Sequence, residues 1–270
     1  MANISKKSKS LVDIKLDPID KSKSDQSTFT GRHPKIRVLL AITRMTMGST
    51  NVVLDIADYL NQHSHFEVSI VAGPVPKYEV DLSPLALEKD IPTKIIQSLT
   101  NRKNPILGLK AFLEMRRHIV QSNYDIVHTH SSIAGVIGRL AAFTARVPVI
   151  IHHVHGWGLQ EDMSRIIRAF YIVLERLCAK VTDRMIAVSK PTIQKGLTYR
   201  ICQEDKFALI YNGIQLEKFR QQVDDQQIRN ELDLDPEYKL VGMICRLDKQ
   251  KNPMDFIRSA AIVIERYPRV

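Results

Sequence analysis

The chain has 270 residues, 44% of them hydrophobic and 25% charged, a composition suited to a globular protein with one large or two small domains. No uncharged apolar run approaches the ~18 to 20 residues a membrane-spanning helix needs, and the first thirty positions are Lys/Ser-rich and lack the apolar core of a signal peptide. Cys178, Cys202 and Cys245 are too few and too scattered for a disulfide framework or a Cys-x-x-Cys metal knuckle, which suits a reducing, cytoplasmic setting and small apolar roles for the thiols.

The formal charge is +10, of which residues 1–35 contribute +4 through eight Lys/Arg set against four Asp. This low-hydrophobicity leader is expected to be disordered. A solvated tail is its simpler reading, and contact with the anionic inner face of a membrane is the alternative.

From Ile36 the pattern changes to short β-branched apolar runs at 36–42, 66–71, 93–96, 125–128, 147–152, 184–188 and 207–210. Stretches with helical apolar spacing separate them at 52–60, 107–120, 134–145, 164–181 and 191–199. This alternation predicts an α/β fold, a doubly wound parallel sheet over residues 36–206, with its ligand crevice at the carboxyl ends of the strands. Residues 207–238 read as a hinge or linker. Residues 239–244 and 253–266 then read as one strand and one helix, the start of a second Rossmann-like domain that 239–270 does not complete, so the chain reads as truncated.

Four segments carry candidate chemistry. After the first strand, Thr46-Met47-Gly48-Ser49-Thr50 leads into a helix, where Gly48 and Ser49 would let backbone N–H groups approach a phosphate or sugar. An ordinary capped turn fits these residues equally well, and neither a dinucleotide fingerprint nor a P-loop is present. The next strands end in His128-Thr129-His130-Ser131 and in His152-His153-Val154-His155-Gly156-Trp157-Gly158, so five of nine histidines fall at two strand ends. His128 and His130 share a strand face, as metal ligands would. No Asp, Glu or Cys completes a ligand set, so the expectation is no metal, with the imidazoles either hydrogen-bonding a polar ligand or serving the core. Finally, Arg246 and Lys251 flank a strand-to-helix turn where two cations could clamp a diphosphate, although a solvated basic loop would look the same.

In this order, the block 125–132 with Gly138-Arg139, then Val154-His155-Gly156-Trp157-Gly158, Thr182-Asp183-Arg184, Asn212-Gly213 and the 241–251 block resemble the family 4 retaining glycosyltransferases. The resemblance implies the GT-B fold, two facing Rossmann-like domains with the acceptor on the first and most of the nucleotide-sugar on the second. It places His155 at the donor sugar as the catalytic residue, Gly48, Ser49, Arg246 and Lys251 at the donor diphosphate, and His128, His130, Ser131, Gly156 and Trp157 along the acceptor cleft. Met47 stands where many members have a second Gly, and the family's Glu-x7-Glu segment would lie beyond Val270.

The implied function is retaining transfer from a UDP- or GDP-sugar to a glycan or lipid-linked acceptor in surface-polysaccharide assembly, with no cofactor and no dedicated nucleophile. The chain by itself is expected to be inactive. Rival readings are a non-catalytic acceptor- or partner-binding remnant and a sugar-nucleotide 2-epimerase, which would need a carboxylate pair in the cleft. No basic helix or aromatic-interleaved patch recommends a nucleic-acid partner.

Overall fold

The computed structural model describes residues 35–46, 48–101, 104–159, 163–214, 216, 220, 226–235, 237–247 and 251–267. The leader before Lys35, and with it the expectation placed on it, lies outside these residues, as does Met47.

Each of the seven apolar runs forms a strand: β1 (Ile36–Arg44), β2 (Phe66–Gly73), β3 (Thr93–Ile95), β4 (Ile126–His130), β5 (Val149–Val154), β6 (Arg184–Ala187) and β7 (Phe207–Leu209). They build one sheet in the order β3-β2-β1-β4-β5-β6-β7, with every pairing parallel. The five expected helices are present as α1 (Gly48–Asn61), α3 (Pro105–Ser122), α4 (Ser132–Thr144), α5 (Arg165–Lys180) and α6 (Lys190–Thr198). The short α2 (Pro84–Glu88) was not anticipated, because five residues carry too little periodicity to register.

Alternate residues of each strand feed two cores. Leu39, Ala41, Val71, Val127 and Ile150 pack with Ala111, Met115 and Ala141 of α3 and α4. Val38, Leu40, Ile42 and Ile70 pack with Val53, Leu54 and Ala57 of α1. Helices therefore cover both faces, as a doubly wound sheet requires, and the strand order reverses between β1 and β4, where such sheets open a crevice.

Two motif aspartates are structural. Asp125 Oδ2 accepts the Arg37 N–H at 2.8 Å and Asp183 Oδ2 accepts the Ile150 N–H at 2.7 Å. Each thus satisfies a donor on the neighbouring strand where the ladder begins.

Two expectations need correction. Phe207–Leu209 is the edge strand of the sheet, so the first compact unit continues to Asn212, past the expected boundary at 206. Residues 239–244 form no strand, because none of them pairs with another strand among the described residues, and an isolated extended run has no ladder to hold it. The second unit, Gly213–Val270, carries the short α7 (Gln226–Glu231) and the expected helix, α8 (Pro253–Arg266), which buries no residue. Of the cysteines, only Cys178 is fully buried, while Cys202 and Cys245 are half-exposed.

Candidate active site at the strand ends

The parallel register sorts the histidines onto two faces. Thr129 pairs with His152 and His130 with His153 across β4 and β5. His152 turns to the α4 side, where its Nδ1 lies 2.9 Å from Thr129 Oγ1 and its ring fills the space that a side chain at Gly135 would take. His128, His130, His153 and His155 gather on the other side. His153 and His155 stack at 4.4 Å with rings 4° from parallel, and His130 Nδ1 lies 3.0 Å from His155 Nε2.

These rings are neutral at physiological pH. Burial pushes His155 down to about 4. Burial, reinforced by neighbouring rings, pushes His128 and His153 down to about 3. His130 and His152 are held well below 6.5 by the same causes, with the Arg139 guanidinium adding to the effect on His152. His155 can therefore donate one hydrogen bond and accept another, but it brings no positive charge.

Ring nitrogens of His128, His130 and His153 come within 4.8 Å of one another. All three donors are imidazoles, each offering one ring nitrogen. His128 Nε2, His130 Nε2 and both His153 nitrogens have no hydrogen-bond partner among the described residues.

Gly48 opens α1, the first helix after β1, and a Cβ placed on it would meet nothing within 4 Å, so its backbone is open to approach. Ser49 lines a hollow of about 230 Å³ with Thr43, Arg44, Thr46, Asn101 and Ser131. A second hollow of about 280 Å³, sharing Asn101, Ser132 and Ile133 with the first, runs past Trp157 and Leu159 to Tyr171 and Glu175.

Ser131, in the wall of the first hollow, has φ 64° and ψ 164°, a conformation essentially reserved for glycine. Its hydroxyl lies 2.7 Å from that of Thr43 and accepts the Thr43 N–H at 3.1 Å, while Thr43 Oγ1 accepts the Ala134 N–H at 3.0 Å. The ends of β1 and β4 are thereby tied together.

The structure brings His130 to His155 and sets Ser131 in the first hollow with Ser49, next to Gly48 beyond the end of β1. Gly156 is exposed beside His155. Trp157 is committed elsewhere: its indole N–H donates to Thr192 O at 2.8 Å and its ring packs against Gly196 and Phe207, so it offers a ligand only apolar surface. Arg246 and Lys251 lie exposed in the second unit, on either side of the undescribed residues 248–250. Sequence reasoning missed Thr43 and Asn101, which carry no motif, and left His153 out of the site although the His152-His153 pair was visible.

Two arginines near the hollows are paired with glutamates. Arg44 pairs with Glu79 at 3.1 Å. Arg139, fully buried, pairs with Glu175 at 2.8 Å and donates from Nε to Gly135 O at 2.7 Å, linking α4 to α5.

A parallel, doubly wound sheet with a polar crevice at its switch point defines a Rossmann-like domain. The family model for Glycosyltransferase Family 4 matches residues 47–218, and the chain belongs to that family. Among its relatives, the UDP-Gal:alpha-D-GlcNAc-diphosphoundecaprenol alpha-1,3-galactosyltransferase of Escherichia coli is 27% identical over 238 residues, 86% of this chain and 59% of that protein. The capsular polysaccharide biosynthesis glycosyltransferase CapM of Staphylococcus aureus is 27% identical over 163 residues, 58% of this chain and 42% of that one. The crystal structure of a glycosyltransferase from Rickettsia africae ESF-5 superposes with a TM-score of 0.62 at 19% identity, covering 87% of this chain and 62% of that one. This chain spans less than two thirds of each of the three.

Proposed function

We propose that this chain is the acceptor-side part of an enzyme that moves a hexosyl or N-acetylhexosaminyl group, with retention, from a UDP- or GDP-sugar to a glycan or lipid-linked acceptor in surface-polysaccharide assembly. The observation that carries the reading is His155, neutral and 3.0 Å from His130 just past the end of β5, in a chain of this family. The E. coli relative's name supports a UDP-linked donor and a lipid-diphosphate acceptor.

In this reading the backbone at Gly48 and Ser49 approaches the donor diphosphate at the positive end of α1, which has no acidic residue in its first turn. His155 hydrogen-bonds the donor sugar, and its neutrality suits a group beside a carbon that gains positive character as the bond breaks. The leaving nucleoside diphosphate gains negative charge, and the resemblance assigns its stabilisation to the cations Arg246 and Lys251. Ser131, Gly156 and Trp157 shape the acceptor side of the cleft, and His128 and His130, both buried, support it.

The epimerase alternative needs free carboxylates, yet Glu79 and Glu175, beside the two hollows, are each paired with an arginine. The test is His155→Ala in the complete gene product, assayed with UDP- and GDP-sugars. Turnover should fall by about a hundredfold or more while donor affinity changes little. Unchanged turnover in a folded variant would return His155 to a packing role.

A further inference from the structure

Helix α5 hides one side and leaves the other bare. Glu175, Cys178 and Ala179 are buried. On the opposite side, Ile166, Phe170, Val173 and Leu177 are 85%, 63%, 51% and 52% exposed. At 100° per residue these four fall within a single strip roughly 60° wide along the helix.

Turning a little further around the helix brings Arg165, Arg176 and Lys180, all exposed, into a second strip beside the first. Arg176 is partly engaged, donating to Tyr199 O at 2.8 Å. The only carboxylate on the helix, Glu175, is buried against Arg139, so the bare side presents apolar groups and cations with no anion among them.

We infer that this side of α5 lies on an anionic lipid surface, with Ile166, Phe170, Val173 and Leu177 in the boundary between headgroups and acyl chains and Arg165 and Lys180 at the lipid phosphates. An apolar strip flanked by cations is what an interfacial helix requires, because long basic side chains cover apolar surface with their stems and keep their charge at the headgroups. The other side of α5 contributes Tyr171 and Glu175 to the hollow beneath Trp157, so the docked helix would hold that hollow close to the bilayer. The inference goes beyond the proposed transfer and stands without it, since its probes contain neither sugar donor nor acceptor.

The test is flotation of the full chain with phosphatidylcholine vesicles, with and without phosphatidylglycerol. Binding should require phosphatidylglycerol. The triple variant Ile166→Ser, Phe170→Ser, Val173→Ser should reduce it by about tenfold or more, and Arg165→Glu with Lys180→Glu should weaken the preference for anionic lipid. Because the basic leader could tether the chain without α5, a local readout accompanies flotation. Phe170→Trp, a conservative exposed change, should shift its emission to the blue on adding anionic vesicles and be quenched by acyl-brominated lipid.

Three results would overturn the inference: no flotation, flotation with the Trp at 170 unmoved, or a concentration-dependent dimer that shifts the Trp at 170 without lipid. The last would assign the stripe to a second copy of the chain.

Discussion

His130 Nδ1 and His155 Nε2 lie 3.0 Å apart, and both rings are neutral, so one must donate to the other and their tautomers are coupled. His130 is fully buried whereas His155 is half-exposed, so in the proposed reaction His130 would position the outer ring. His130→Ala in the complete gene product should lower turnover by about tenfold with little change in donor KM, because the ring it steadies loses its orientation. His130→Asn can replace the Nδ1 hydrogen bond and should recover much of the loss. Equal effects of Ala and Asn on a folded protein would leave His130 as mere filling.

The same burial makes the fold sensitive to acid. The five histidines at the ends of β4 and β5, and with them His118, titrate below the ordinary 6.5 when folded, with His128 and His153 at about 3 and His155 at about 4. Below pH 6.5 the unfolded chain takes up protons that the folded chain refuses. Stability is therefore complete above that pH and falls as pH drops toward 4, by up to about 1.4 kcal/mol per pH unit for each such histidine. Thermal melts should be nearly flat from pH 7 to 8 and fall steeply between roughly 6 and 4.5. Substituting His128→Asn and His153→Asn should flatten that descent. A wild-type profile without it would show that these rings can become charged in place.

Most of the fold was legible in the sequence, because strands buried on both faces announce themselves as unbroken apolar runs and long helices as periodic ones. Residues 239–244 had the composition of a strand, but composition says nothing about whether a partner pairs with it. At the site, the histidine clustering was visible, and period-two alternation correctly put His128 and His130 on one face. Pairing across strands was hidden: that His130 meets His155, that Thr129 takes His152, and that Trp157 spends its N–H on Thr192 follow from register and loop path. The Arg139–Glu175 pair was hidden for the same reason, since its members are 36 residues apart.

Ser131 separates backbone strain from side-chain bonding. Its φ of 64° favours glycine, yet its hydroxyl holds Thr43. Ser131→Ala keeps the strained backbone and loses those bonds, which should lower stability by about 1 to 3 kcal/mol. Ser131→Gly loses the same bonds but relieves the strain, so it should lie closer to wild type in urea denaturation. If glycine proved the more damaging of the two, the strain argument would fail.

The ion pair between Arg139 and Glu175 makes the sharpest stability test. Arg139 has no exposed surface, and its guanidinium reaches Glu175 Oε2 at 2.8 Å and Gly135 O at 2.7 Å. Its Nη1 has no hydrogen-bond partner among the described residues, so the buried charge is incompletely satisfied. Two desolvated ions repay their burial only with full pairing, whereas removing one strands the other. Arg139→Met should therefore cost about 3 to 5 kcal/mol by leaving the Glu175 carboxylate unpaired between α4 and α5. Glu175→Leu should cost more, because the guanidinium it abandons is deeper and also lies near His152. The double variant Arg139→Met, Glu175→Leu should recover most of the loss, since similar apolar volumes then fill the space with no charge to satisfy. Urea denaturation of the four proteins measures the coupling directly. Additive losses would mean that the two side chains stabilise the fold through separate packing, and that the short contact between α4 and α5 contributes nothing of its own.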